Sequence, residues 1–380
     1  MKKSKKLWLG VAIVALIGVS LVGVYRNRQQ AMDDNVIRIG AIVFLTGPQS
    51  ATGKDVLNGI ILSKTLINES GGICKKKVEL IVEDSKDSPK EAIKAFNRLC
   101  AAGVSAIVVS GDVITFNLAH LITQKKIPVL SVVAEADNVA NLSKYIFRAW
   151  VSDSMLIDKI SKYAYKEIKD SRLSIIAINN EFGQSSSRNF KQNFTALGGN
   201  ICSQEYYNIS DVDVRGQIYK CMRENPKAFF VTGFGDGYGT SINQIRESGF
   251  TGKIYTSIMM SLDFYQQQTM KSNEGIVFAA TSYSPSSRLS ESRYFVAEYG
   301  KRIGGIPNFT SAFSYESLNI LRFVIEENGA SNENIIKGLE NLKKYKSVFG
   351  EISYNSKREI DLPIWIWQMK NSKAQILAME

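Results

Sequence analysis

Side chains that could do covalent or acid–base chemistry are few in this sequence. His120 is the single histidine, and the four cysteines, Cys74, Cys100, Cys202 and Cys221, include no Cys-x-x-Cys pair. A zinc site needs closely spaced thiolate and imidazole ligands, so metal binding is not expected. Ser185-Ser186-Ser187 lacks a Gly-x-Ser-x-Gly frame and reads as a helix start. The glycine-rich run Gly233–Gly239 invites a dinucleotide reading, but Tyr238 stands where G-x-G-x-x-G requires its third glycine. With one imidazole and no nucleophile beside a base, acid–base and covalent catalysis lack their usual groups. The expectation is a protein that binds rather than reacts, without a cofactor.

The elements that would position a binding site follow a repeating plan. Ile37–Val43 is an apolar run fit for a buried parallel strand, broken by Leu45-Thr46-Gly47-Pro48. Val56, Ile60, Ile61 and Ile67 then follow helical spacing, Gly71-Gly72 ends the helix, and Val78, Leu80 and Val82 make the next strand. In α/β sheets the loops after the strands carry the ligand, which makes Phe44–Gly53 the first candidate loop. Pro89–Cys100, with Ser88 as cap, is the second helix. Ala106–Val109 and Ile127–Val133 are further strands, and Tyr145–Ala149 reads as a crossing into a second lobe. That lobe repeats the plan: strand Leu173–Ile178, helix Ser185–Leu197, Gly198-Gly199, strand Ile201–Tyr207, helix Val214–Arg223, strand Ala228–Thr232, helix Ser241–Glu247 and strand Lys253–Ser257. Further crossings fall near Ser284 and Tyr345, and Gly350–Tyr354 with Pro363–Met369 reads as a closing hairpin. The fold class is therefore α/β: two Rossmann-like lobes with parallel sheets and three crossings. Lobe one takes residues 36–147 and 285–345, and lobe two takes 148–284 and 346–380.

The cysteines fall in step with this duplication. Cys74 and Cys202 each begin the second strand of a lobe, and Cys100 and Cys221 each end the following helix. A strand's start and the next helix's end share one edge of the sheet. Disulfides Cys74–Cys100 and Cys202–Cys221 are therefore expected, each closing a loop worth about 3 kcal/mol in the chain-entropy picture. Free buried thiols are the alternative.

Net charge is +11, but Lys2, Lys3, Lys5, Lys6, Arg26 and Arg28 lie within 1–30 without any acid, leaving +5 for the remainder. Lys75-Lys76-Lys77 is the only tight basic run beyond it and reads as a solvated turn, so no nucleic-acid partner is expected. Leu7–Tyr25 is uncharged and nearly long enough to span a bilayer. It is either a signal peptide cut after Ser20 or an uncleaved anchor through the membrane. Either way the folded part is exported, to the periplasm or the outer face of the cytoplasmic membrane, where disulfides persist.

Motifs make the class narrower. Leu45-Thr46-Gly47-Pro48, Gly53, Val56-Leu57-Asn58-Gly59, Gly71-Gly72 and Glu83-Asp84-Ser85 resemble the type I periplasmic solute-binding proteins of the branched-chain amino acid group. So do Pro128-Val129-Leu130-Ser131, Phe147-Arg148, Phe182-Gly183-Gln184, Gly233-Phe234-Gly235 and Phe349-Gly350-Glu351-Ile352. The resemblance runs from about Val36 to Gln368. It implies a receptor that closes on a small molecule and delivers it to an ABC permease in the inner membrane. It also implies a ligand site between the lobes. Ser110 and Gly111 would hold a carboxylate, at a helix start that suits an anion, although Asp112 opposes one. The bland role for Asp112 is N-cap of the helix. Thr46 and Gln49 are the polar side chains of the first loop. Val133, Ala134 and Glu135 stand where the family has a small pair and a threonine. Phe182 and Phe234 replace two tyrosines, and Met259 lies where the ammonium's acid partner belongs. The usual amino-acid clamp is thus altered. Either Glu135 takes over an ammonium, or the ligand is a more apolar or aromatic molecule packed by Phe182, Phe234 and Met259. A membrane-anchored sensor or structural module that no longer serves transport is the alternative to a transport receptor.

Overall fold

The computed structural model describes residues 35–136, 138–167, 172–285 and 287–378. Its first sheet contains β1 (Val36–Val43), β2 (Lys77–Asp84), β3 (Ala106–Ser110), β4 (Val129–Val132) and β5 (Ile146–Arg148), all parallel in the order β2-β1-β3-β4-β5. Side chains alternate across such a sheet. Ile39, Ala41, Val43, Val108, Leu130 and Val132 enter one apolar layer, and Ile42, Ile107, Val109 and Val129 enter the opposite one. Helix α1 (Ser50–Glu69) covers the first face, and α2 (Pro89–Ala101) and α3 (Asp112–Lys125) cover the second. Gly71 and Gly72 both adopt positive φ, and a Cβ on Gly72 would stand 2.0 Å from the Lys76 carbonyl oxygen. Glycine is therefore required at that turn. Ser88 occupies the cap position of α2 but its hydroxyl makes no capping bond.

The second sheet runs β15-β14-β10-β9-β8-β6-β7. Strands β6 (Arg172–Ile178), β7 (Asn200–Tyr207), β8 (Ala228–Thr232), β9 (Lys253–Thr256) and β10 (Val277–Thr281) are parallel. The chain passes to it through Ala149–Val151 and α4 (Asp153–Glu167). Helices α5 (Glu181–Ala196), α6 (Arg215–Arg223) and α7 (Asp236–Glu247) connect the strands, followed by the short α8 (Asp263–Gln268) after β9. Helix α7 begins inside the glycine-rich run, five residues earlier than the sequence suggested. The chain then returns to the first lobe as α9 (Ser290–Arg302), α10 (Phe309–Asn328) and α11 (Asn332–Glu340). Helix α10 lies directly on α1: a Cβ on Gly59 would meet the Ser311 carbonyl oxygen at 2.3 Å, and Ser63 bonds Asn319 at 3.0 Å.

The closing segment differs from expectation. Strand β12 (Gly350–Tyr354) pairs with β11 (Tyr345–Ser347) and with β13 (Ile360–Asp361), not with Pro363–Met369. Strand β14 (Ile364–Lys370) instead adds antiparallel to β10 and turns into β15 (Lys373–Ala378), which the sequence reading missed. Tyr145–Ala149 likewise contains a fifth strand of the first sheet, and Arg148 of that strand bridges to Glu359. After Asp361 the chain enters the second sheet as β14. Alternation of apolar residues identifies strands but not their partners, and β10 and β14 lie more than eighty residues apart.

Neither expected disulfide is formed; all four cysteines are free thiols. Cys74 is exposed on a tight turn at φ +49, whereas Cys100 packs into the apolar layer beneath α2. A shared sheet edge brings the backbones to one end of the lobe without aiming the side chains at each other. Cys202 lies 3.3 Å from the Ser174 hydroxyl, and burial pushes the neighbouring Cys221 thiol up to about 11. The Leu7–Tyr25 segment lies outside the described residues; within them no helix is long and apolar enough to cross a membrane.

Candidate functional site

The first lobe brings the ends of β3, β4 and β5 to the cleft. After Ser110, Gly111 takes the cap position of α3 at φ +90, where a Cβ would press on the Phe44 ring at 3.2 Å. Asp112 does not cap that helix. Its carboxylate reaches the loop after β4 and accepts the backbone N–H of Glu135 at 3.2 Å and of Ala136 at 3.1 Å. Two unpaired N–H donors at tertiary distance outcompete the local cap, which corrects the sequence expectation. Arg148, fully buried, supports the same loop from behind. It donates to the carbonyls of Ala136 at 2.7 Å and Glu135 at 3.3 Å and pairs with Glu359. Val133 is held at φ +51, an unusual conformation for a β-branched residue. Ala134 turns into the outer apolar layer, and Glu135 turns into the cleft.

The second lobe answers with apolar side chains. Asn180 caps α5 by accepting the Gly183 N–H at 2.9 Å, which fixes Phe182 in the first turn. Phe234 sits between Gly233 and Gly235, both at positive φ, and the Gly235 N–H donates to the Tyr265 hydroxyl at 2.8 Å. The Phe182 and Phe234 rings lie 5.9 Å apart, tilted at 41°. Ser257, Ile258 and Met259 follow β9.

Glu135, Trp150, Asp153, Phe182, Ser257 and Met259 enclose a chamber between these walls, with a free volume of about 10 Å³. That is room for one water-sized group. Glu135 retains some solvent contact, yet its carboxyl is packed closely enough that burial raises it to about 8, with the Asp112 and Asp153 charges adding and Arg148 opposing. Burial also raises Asp112, against the two N–H bonds it accepts and Arg148. Burial thus favours the protonated form of Glu135 in this state.

Of the residues expected from sequence, Glu135, Phe182 and Met259 meet in the chamber, with Phe234 against Phe182. Ser110 and Gly111 shape the turn that places Asp112. Thr46 and Gln49 go elsewhere: the Thr46 hydroxyl donates to Asp84 at 2.7 Å, and the Gln49 amide to Asp87 at 3.3 Å. Trp150, Asp153 and Ser257 were not anticipated, although Trp150 follows the Phe147-Arg148 motif directly. Its ring packs on Phe313 at 4.7 Å and Phe309 at 5.5 Å. Beyond Phe309 lies a larger interlobe cavity of about 730 Å³, bounded by Asp55, Phe264, Tyr265, Tyr283 and Trp367. Ala51 and Thr52 of the first candidate loop line it, whereas the side chains named individually as site candidates do not.

Comparison with known proteins gives the class. The family model described as periplasmic binding protein matches residues 36–374. A Leu/Ile/Val-binding protein homologue of Brucella suis is 22% identical over 92% of this chain and 94% of its own. Among solved structures, a leucine binding protein from Thermotoga maritima superposes with TM-score 0.78 at 23% identity, covering 90% of this chain and 98% of that one. A solute binding protein of an ABC transporter from Rhodopseudomonas palustris, in complex with 3,4-dihydroxybenzoic acid, gives TM-score 0.76 at 23% identity over 90% and 97%. This chain belongs to the periplasmic binding protein family. Its members are extracytoplasmic solute-binding proteins rather than enzymes, and they work with ABC permeases.

Proposed function

We propose that this protein is the receptor of an ABC importer and closes its two lobes on one small organic ligand, an amino acid or a related apolar or aromatic compound. The observation that carries this reading is the chamber itself: Glu135 from one lobe and Phe182, Ser257 and Met259 from the other share it. A space walled from both sides disappears when the lobes part, so a ligand seated there favours the closed state by its differential contacts. The related structures with leucine-binding and dihydroxybenzoate-binding names support a small organic ligand, for which the chamber must open wider than in this state. The hinges are the crossings at Ala149–Val151, after Thr281 and after Asp361.

Small-angle scattering on the protein with and without ligand tests the reading, after mass spectrometry of what leaves the denatured protein has named a ligand. Contraction on binding is the expected result, and an unchanged radius with ligand bound counts against it. The alternative is an anchored module of the same fold without transport. It is favoured by Phe182 and Phe234 standing without hydroxyls and by Met259 at the acid position. Co-purification with a permease supports the receptor; recovery only with cell-envelope proteins supports the module.

A further inference from the structure

Resting on that reading, we propose that the ligand bears an ammonium group and no carboxylate, with its nitrogen seated at Glu135 and Ser257 and its apolar body against Phe182 and Met259. The charged groups facing Glu135 come from three elements: Asp112 at the start of α3, Asp153 at the start of α4, and Arg148 of β5. The single cation among them is already committed to two carbonyls and Glu359. Among the described residues no lysine, arginine or histidine lines the chamber. The N–H groups after β4 that could hold a carboxylate are occupied by Asp112. A second anion there would meet the carboxyl groups of Glu135, Asp112 and Asp153 without a basic side chain in the chamber wall among the described residues.

An independent observation points to the same guest. Ser257 is 6% exposed, lines the chamber, and its hydroxyl makes no hydrogen bond of good geometry within the protein. The Tyr238 hydroxyl beside it is a hydrogen-bonding neighbour, but that hydroxyl is also engaged by Thr256, and the Ser257 oxygen keeps lone pairs toward the chamber. Buried hydroxyls are normally satisfied, so this oxygen is available to an N–H donor. The free volume of about 10 Å³ is that of an ammonium-sized group, and the apolar body requires Phe182 and Met259 to give way around it. Docking a cation beside Glu135 favours its ionised form, so binding near pH 7 transfers one proton from Glu135 to the buffer.

Isothermal titration of the full-length protein with matched pairs tests this: 3-methylbutylamine against leucine, and 2-phenylethylamine against phenylalanine, in two buffers of different ionisation enthalpy at pH 7. The expected result is at least tenfold tighter binding of an amine than of its amino acid, with a buffer-dependent heat showing proton release. Glu135→Gln should weaken the amine at least tenfold and abolish the proton release while leaving the melting temperature unchanged or higher; Ser257→Ala should weaken it severalfold. If an amino acid binds as tightly as its amine and contracts the particle, the inference is overturned and the receptor reading stands. If none of the four binds and the particle never contracts, both are overturned.

Discussion

The two walls of the cleft come from the same strand–loop–helix plan and are held in place by different forces. On the first wall, Asp112 and Arg148 tie the loop after β4 by charge-assisted bonds, and the loop displays a carboxyl. On the second wall, the loops are fixed by close backbone fit. A Cβ on Gly183 would stand 2.0 Å from the Ile178 carbonyl oxygen, and one on Gly233 would stand 2.1 Å from the Tyr207 hydroxyl. That wall displays two phenyl rings. A charged loop gives orientation at the cost of desolvation, whereas a sterically fixed loop gives contact area without a polar demand. On the proposed binding mode the first wall would choose a head group, and the second would accept a range of bodies.

The comparison can be broken most severely at Arg148. Arg148→Met leaves Glu359 and two carbonyls buried without a partner, and should cost about 3–5 kcal/mol in urea denaturation. A loss below about 1 kcal/mol would show that the strap is not needed. The next effect is on pH. Glu135 and, in α10, Glu316 have raised carboxyls, at about 8 and about 7, each chiefly through burial. Glu316 accepts the Val348 N–H at 2.7 Å and the Tyr345 hydroxyl at 3.2 Å. A group raised in the folded state binds its proton more tightly there. Its stabilisation is complete below the unfolded value near 4.5 and is lost as pH rises through 7 and 8. Ligand-free stability should fall by on the order of 6 kcal/mol from pH 5 to pH 8, summed over the two groups. Glu135→Gln should flatten the upper part of that slope in thermal melts, and an unchanged slope would remove Glu135 from the account.

The second wall is sharpened by Gly233→Ala, which meets both φ +135 and the Tyr207 hydroxyl. A loss of about 1–3 kcal/mol by the same denaturation is expected. The smallest effects belong to Thr46→Val and Gln49→Ala. Their bonds go to Asp84 and Asp87, so ligand affinity should change less than twofold in calorimetry, with stability within about 1 kcal/mol. A tenfold loss of affinity would return the first loop to the site.

Much of the architecture was legible because it is local. Gly71-Gly72, the alternation in Ile37–Val43 and the repeated strand–helix order each state a backbone preference that the fold keeps. The partner of Ile364–Lys370 was not legible, since an apolar run carries no address for the strand it joins. The site was half legible for the same reason. Residue type at loops after strands pointed to Glu135, Phe182 and Met259. It could not show that Asp112 prefers the Glu135 and Ala136 N–H groups to its own helix, nor that Ser257 faces the same space. Trp150, on a crossing rather than a strand end, escaped because no loop rule selects it.

Trp150 has an optical consequence. The sequence holds four tryptophans, of which Trp365 and Trp367 sit together on β14 and Trp8 lies in the N-terminal apolar stretch. Trp150 alone borders the chamber, 2% exposed and packed on Phe313 and Phe309. On the proposed closure, the chamber side of this indole would gain water when the lobes part. The molecule therefore carries its own fluorophore at the point where its two conformations differ, and opening should register as a red shift in emission without any attached dye.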